Sequence, residues 1–233
     1  MPSVFITGTG TDVGKTVATS LLYAGLLERG ESVITQKWVQ SGAERDIDAH
    51  DAIAAPYQEV TFSPELQAAR MPYHFPDPVS PHLAAARAQE PIDKDRIHAA
   101  WKTLESSADW VLIEGSGGLQ VPLSDTQSIL DLIYTWEIPL ILVVPNIVGA
   151  INHSVLSAES IAAKGVTCLG LVMMDIDPAT PDFVRADNTR IIESWTRLPV
   201  LGEIGYNQGH DPQRMKGILD RLCHALAQKS TTN

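Results

Sequence analysis

Cysteine is scarce in this chain: of 233 residues only two are cysteines, Cys168 in an apolar, strand-like run and Cys223 in a helix-like one. Neither stands in a metal-binding spacing, so both are expected to be reduced thiols of a cytoplasmic protein. Basic residues are in deficit as well. Lys and Arg number 17 against 28 Asp and Glu, and the formal net charge of −11 argues against nucleic acid or an anionic membrane as the main partner. Long hydrophobic runs are missing. The most apolar stretch, residues 138–151, is interrupted by Pro139, Pro145 and Asn146 and falls short of the ~20 residues a spanning helix needs. The N-terminus has no basic segment followed by an apolar one, so no secretory signal is expected. No internal repeat or low-complexity segment is visible. What is present is an ordinary globular composition with enough Ile, Val and Leu to build a core.

Along the chain, apolar strand-like runs alternate with amphipathic helical ones. Strands are predicted over 4–7, 32–37, 110–114, 140–144, 168–174 and 200–203, and helices over 16–29, 82–89, 93–106, 128–136, 152–164, 181–196 and 212–228. Gly30 and Gly165 sit where helices should stop. The strands are continuous apolar runs rather than alternating ones, which indicates burial on both faces. The fold class this implies is α/β: one domain over 1–233, a doubly wound, mostly parallel sheet flanked by helices, with ligands at the carboxyl ends of the strands. Residues from about 44 to 81 are proline-rich and weakly periodic, and read as an irregular excursion from the sheet with a short helix near 49–54. The last five residues, 229–233, read as a solvated end.

The segment from Val4 to Thr16 (VFITGTGTDVGKT) carries the strongest functional signal. A β-branched strand enters a Gly- and Thr-rich turn that closes on Gly14-Lys15-Thr16 and opens a helix. Such a phosphate-binding loop combines backbone N–H groups, a helix N-terminus and one lysine. Lys15 is expected to reach the outer phosphates and Thr16 to offer its hydroxyl to Mg²⁺. The spacing is unusual. The first glycine should be residue 9, but residue 9 is threonine and the glycine is Gly8, so the loop is one residue longer than the common form. Three further loops follow predicted strands. Lys37, with Trp38, Ser41 and Gly42 after it, would place a mobile cation beside the phosphates. Glu114 ends an apolar strand, as a metal-holding acid of phosphate-loop proteins does; Gly115, Ser116 and Gly117 after it let backbone approach a ligand. Gly149, Ala150, Ile151 and Asn152 open another helix and could receive a carboxylate.

Taken together these motifs resemble the dethiobiotin synthetase family. The resemblance rests on Gly8 to Thr16, Lys37 with Ser41-Gly42, Ser80-Pro81-His82, Glu114 to Gly118, Pro122-Leu123, Gly149 with Ile151-Asn152-His153, and Leu201 to Ile204. It covers nearly the whole chain in the family's order, and the long phosphate loop matches too. It implies ATP-driven closure of the cyclic urea of dethiobiotin, in biotin biosynthesis, from 7,8-diaminopelargonic acid and CO₂ or bicarbonate. Mg²⁺ would be the metal, and a homodimer with sites shared across the subunit interface would be the active form. Lys15 and Lys37 would be catalytic. Asp12, Val13, Gly14, Lys15, Thr16 and Val17 would bind ATP with Glu114, Gly115, Ser116 and Gly117. Met174, Asp175, Ile204, Gly205 and Tyr206 would lie at its base end. Thr16, Asp51 and Glu114 would hold the metal, with Asp46 and Asp48 as neighbouring alternatives to Asp51. Thr11, Lys37 and Ser41 would meet the reacting end of the diamine, and Gly149 to Asn152 of a second subunit its distal carboxylate. Three positions depart from the family: Trp38 stands for the usual proline and bears on the substrate wall, Met174 for an asparagine that recognises adenine, and Gly205 for a proline.

Two other readings compete. A partitioning or septum-positioning ATPase switch also uses a long phosphate loop, but typically with an extra lysine early in the loop, which Gly8 to Thr11 lack, and no terminal membrane-binding helix is evident. An amidating ligase related to cobyrinate diamide synthases would need a glutaminase domain for which the chain has no room.

Overall fold

The computed structural model describes residues 2–57, 61–209 and 211–230. The elements, in chain order, are β1 (Ser3–Gly8), α1 (Lys15–Glu28), β2 (Val33–Lys37), β3 (Val39–Ser41), α2 (Asp46–Ala54), α3 (Pro64–Arg70), β4 (Tyr73–Phe75), α4 (Pro81–Ala88), α5 (Lys94–Glu105), β5 (Trp110–Gly118), α6 (Ile129–Thr135), β6 (Leu140–Pro145), α7 (Ala150–Lys164), β7 (Cys168–Met174), α8 (Asp182–Thr196), β8 (Val200–Ile204) and α9 (Pro212–Ser230). Six strands form one sheet in the order β2-β5-β1-β6-β7-β8. Each pair in it is parallel. β1 therefore lies centrally, and its carboxyl end opens between the ends of β5 and β6.

The continuous apolar strands are explained by a core on each face. Phe5, Val111, Ile113, Leu142, Val144 and Met173 join α5, α6, α7 and α8 on one side. Val4, Ile6, Leu112, Ile141, Val143 and Val172 join α1 and α9 on the other. Successive residues of a strand alternate between these two cores, as the two-residue period of a strand requires. α1 is buried almost throughout, from Ala18 to Leu27, because α2 and α9 cover the side that the sheet does not. Both cysteines are free, and burial pushes the Cys168 thiol up to about 12, so it stays protonated.

The stretch from 44 to 81 departs from the sequence expectation. It holds two helices, α2 and α3, and β4, which pairs in parallel with β3 in a separate two-stranded sheet. Strands of three residues carry no readable period, and β3 follows β2 after a single residue. α9 runs on to Ser230, and 231–233 of the expected solvated end lie outside the described residues.

α6 starts at a capping box. Ser128 Oγ accepts from the Asp131 N–H, and Asp131 Oδ2 accepts from the Ser128 N–H at 2.7 Å. Lys164 of α7 closes on Asp131 Oδ1 at 2.6 Å, tying two helices together. Hydrogen bonding from Lys164, then from Ser128, pulls the Asp131 carboxyl down to about 2. A depressed carboxyl contributes stability above its unfolded value near 3.8 and loses it as pH falls toward 2. Asp131→Ala is therefore expected to lower Tm by about 2–4 °C at pH 7. The gap should narrow in melts taken below about pH 4; a gap of constant size down to pH 2.5 would contradict this.

Candidate active site

The site is set by strand register. β2 and β5 pair so that Lys37 lies directly opposite Glu114, and Ile6 of β1 lies opposite Glu114 on its other side. Paired residues of parallel strands share a face, here the face covered by α1. A slip of one residue would send the two groups to opposite sides. Glu114 is 1% and Lys37 4% exposed. Lys37 Nζ donates to Glu114 Oε1 at 2.7 Å and to the Gly115 carbonyl at 2.9 Å. Thr16 Oγ1, from the first turn of α1, donates to Glu114 Oε1 at 2.9 Å. His50 Nε2, from α2, donates to Glu114 Oε2 at 2.7 Å, while its Nδ1 is buried without a hydrogen-bond partner.

Burial alone would raise the Glu114 carboxyl. The Lys37 charge and hydrogen bonds from His50 and Lys37 outweigh it and hold the group ionised, below the usual carboxylate range. Burial likewise opposes the Lys37 ammonium, and the charges of Glu114 and Asp46 hold it protonated. Lys15 differs. Burial and then the Lys37 charge bring it down to about 8. Its Nζ donates to the Gly10 carbonyl at 2.8 Å, so the side chain lies back along the loop it serves.

Gly14 caps α1 in the left-handed conformation, at φ 95°, and Asp12 is left-handed too, at φ 58°. The helix begins at residue 15, so its first N–H groups have no acceptor inside the helix and are directed at the loop's concave side. A cleft of about 730 Å³ opens there, within the range of small-molecule sites. Thr11, Asp12, Gly14, Lys15, Thr16, Val17, Lys37, Ser41, Glu114, Ser116 and Gly117 line it.

The structure thus brings most of the expected phosphate, metal and diamine residues to one cleft. Val13 and Gly115 support it from behind: Val13 packs on Gly8, and Gly115 on the Phe5 ring. Asp51 does not join it. Both Asp51 oxygens are taken by Arg70, at 2.6 and 2.7 Å, and the fully buried Arg70 also bonds the carbonyl and hydroxyl of Thr35. Asp46 and His50 point to the Lys37–Glu114 pair instead, Asp46 Oδ2 lying 2.6 Å from Lys37 Nζ. Helix geometry gives the reason. Residues 46 and 50 are four apart and share a face, whereas 51 is turned a further ~100°. That spacing is the sequence signal for His50, which belongs to no motif of its own.

Three other groups lie outside the cleft lining. Trp38 turns into the opposite core because strand alternation carries the residue after Lys37 to the other face. Its ring meets Phe5 and Trp136, with centroids at 4.7 and 5.1 Å. This side chain therefore does not line the cleft. Met174, Asp175, Ile204, Gly205 and Tyr206 sit at the ends of β7 and β8. The Met174 side chain packs against Gly14 of the phosphate loop, and Asp175 pairs with Arg185 at 3.4 Å. Gly149 caps α7 at φ 95°, ahead of buried Ala150, half-buried Ile151 and exposed Asn152. Among the described residues, no group of three or more His, Cys, Asp or Glu is arranged to hold a metal ion. Magnesium needs less, since it takes one or two carboxylates and fills its shell with water and phosphate oxygens. The Thr16 hydroxyl beside the Glu114 carboxylate is an all-oxygen pair of that kind.

A parallel sheet, a glycine-capped loop at its centre and a buried lysine–carboxylate pair beside the loop define a phosphate-loop nucleotide-binding protein. A family model described as an AAA domain matches residues 2–214. The ATP-dependent dethiobiotin synthetase BioD of Aromatoleum aromaticum is 39% identical over 223 residues, covering 92% of this chain and 95% of that one. The ATP-dependent dethiobiotin synthetase BioD 1 of Escherichia coli (strain K12) is 38% identical over 204 residues, covering 86% and 88%. The chain belongs to the ATP-dependent dethiobiotin synthetase family. Solved structures share the fold at greater distance: the septum site-determining protein MinD of Pyrococcus horikoshii, complexed with Mg-ADP, superposes with a TM-score of 0.55 at 16% identity, covering 94% of this chain and 86% of that one.

The two acids have different surroundings: Asp51 pairs with a buried guanidinium, and Glu114 lies beside the Thr16 hydroxyl. Asp51→Asn is expected to lower Tm, because it weakens the pairing of a buried guanidinium, with no change in the magnesium concentration for half-maximal activity. Glu114→Gln should raise that concentration about tenfold or more. A shift in the magnesium titration for Asp51→Asn, or none for Glu114→Gln, would reverse the assignment.

Proposed function

We propose that this protein closes the cyclic urea of dethiobiotin in the cytoplasm, using ATP, 7,8-diaminopelargonic acid and CO₂. One amine of the diamine takes up CO₂ as a carbamate. A carbamate oxygen attacks the γ-phosphorus of ATP, ADP leaves, and the carbamic–phosphoric anhydride is captured by the neighbouring amine with release of phosphate. The observation that carries this reading is the convergence of Lys15, Thr16, Lys37 and Glu114 on one cleft, in a chain 38–39% identical to dethiobiotin synthetases over most of its length.

The main obstacle is charge. A carbamate approaching a phosphate to 4 Å meets about 4 kcal/mol of repulsion at an effective dielectric of 20, or about a thousandfold in rate. Lys15 and the amides of residues 12–17 would hold the polyphosphate, and Lys37 would face the oxygen passed between the reactants. Thr16 and Glu114 would hold Mg²⁺, which supplies further charge neutralisation when bound. Thr11 and Ser41 would position the carbamate and amine end.

Gly149 to Asn152 do not line the cleft of their own chain, and Val148 just before them is 83% exposed. That arrangement supports a homodimer in which this turn meets the carboxylate of a diamine bound in the partner's cleft. At the base end, Met174 is a thioether folded under the phosphate loop and offers no paired hydrogen bonds to adenine. The preference for ATP over CTP, GTP and UTP is expected to be weak when rates are compared at subsaturating nucleotide; strong selectivity for ATP would contradict this.

The reaction itself is tested by mass. Incubation with the diamine, bicarbonate and Mg-ATP should yield the cyclic urea and one phosphate per ring closed. Nucleotide hydrolysis that ignores the diamine would favour an ATPase switch of the MinD kind, whose fold the chain shares.

A further inference from the structure

The Lys37 ammonium is held by three close oxygens, two of them on carboxylates. Nζ donates to Glu114 Oε1 at 2.7 Å and to the Gly115 carbonyl at 2.9 Å, and forms an ion pair with Asp46 Oδ2 at 2.6 Å. The proposed function requires this lysine to meet an anionic oxygen of the reactants. A buried ammonium held in this way can do so only by releasing a partner.

The three partners are not equally free to leave. The Gly115 carbonyl is part of the β5 backbone. Glu114 is 1% exposed and is also held by Thr16 and His50, so moving it would break two further contacts besides the lysine's own. Asp46 lies on the first turn of α2, lines the cleft, and has a side chain 25% exposed. Its backbone N–H donates to Gln40 Oε1 at 3.1 Å, which anchors the start of α2 while leaving the carboxylate to rotate into the cleft.

We infer that Asp46 is a displaceable counter-ion: a positioning residue that pairs with the Lys37 ammonium until an anionic oxygen of the bound reactants takes its place. The inference rests on the reading of Lys37 given above. Exchanging one anion for another keeps the buried ammonium paired at every stage, so the lysine need not move and no uncompensated charge is left in the core. It also weakens the binding of any anion at this position, because each arriving oxygen must displace a carboxylate already paired with the ammonium.

The direct test is a titration of the metal-free protein with inorganic phosphate, by calorimetry, in wild type, Asp46→Asn, Lys37→Gln and the double variant. Asp46→Asn is expected to bind phosphate about tenfold more tightly, and the gain should vanish in the Lys37→Gln background. Unchanged or weaker binding by Asp46→Asn would overturn the inference. So would an equal gain with and without Lys37, which would mark a general relief of negative charge. Asp46→Ser, which removes the carboxylate rather than neutralising it, should tighten binding in the same direction, with a thermal melt near that of wild type; opposite signs in the two variants would also overturn it. Formation of the cyclic urea by the wild type is a separate readout. Its failure with the phosphate gain intact would refute the proposed reaction alone, and the reverse result would refute only the exchange.

Discussion

The site depends on one buried ion pair. Lys37 and Glu114 are both almost fully enclosed, and each would be costly alone: removing one partner of such a pair typically destabilises a protein by about 3–5 kcal/mol. Replacing both by apolar side chains would often be neutral or stabilising, so stability gives little reason to keep the pair. Its use is positional. The strand register that sets Lys37 opposite Glu114 also fixes where a positive and a negative group stand relative to the phosphate loop, before any ligand arrives.

The surrounding elements serve that arrangement. β1 is central and delivers the loop between β5 and β6; α1 starts from the loop and brings Thr16 onto the Glu114 carboxylate. α2 packs on α1 and supplies Asp46 and His50 from one face, while its next residue, Asp51, is committed to Arg70. Arg70 in turn bonds Thr35, two residues before Lys37 on β2. The stretch between β3 and α4 is thus a second layer that clamps the edge strand carrying the lysine.

Much of this was legible in the sequence because the signals are local or periodic. The phosphate loop is one continuous run, Lys37 and Glu114 end apolar strands, and burial on both faces shows in unbroken Ile, Val and Leu. The parallel sheet follows from the alternation of strands and helices, and the structure has it wholly parallel. Other features depend on relations that a linear reading does not hold. β3 and β4 have three residues each and are stabilised by pairing with each other. The role of Asp46 rather than Asp51 beside Lys37 depends on the rotation of α2 about its axis, which is fixed by packing on α1. Trp38 stands next to the cleft lysine Lys37 in the chain, yet strand alternation puts it in the opposite core, among Phe5 and Trp136. Met174 was readable as a missing amide, but not as a side chain packed under Gly14.

The most direct test of this account compares turnover and nucleotide affinity in a folded Lys37→Ala variant. If the buried lysine acts on the oxygen passed between the reactants, turnover should fall by about a thousandfold while the dissociation constant for ATP changes only a few-fold. Turnover near the wild-type rate, or a loss confined to ATP binding, would show that the pair only supports the fold or the nucleotide, and would contradict the account.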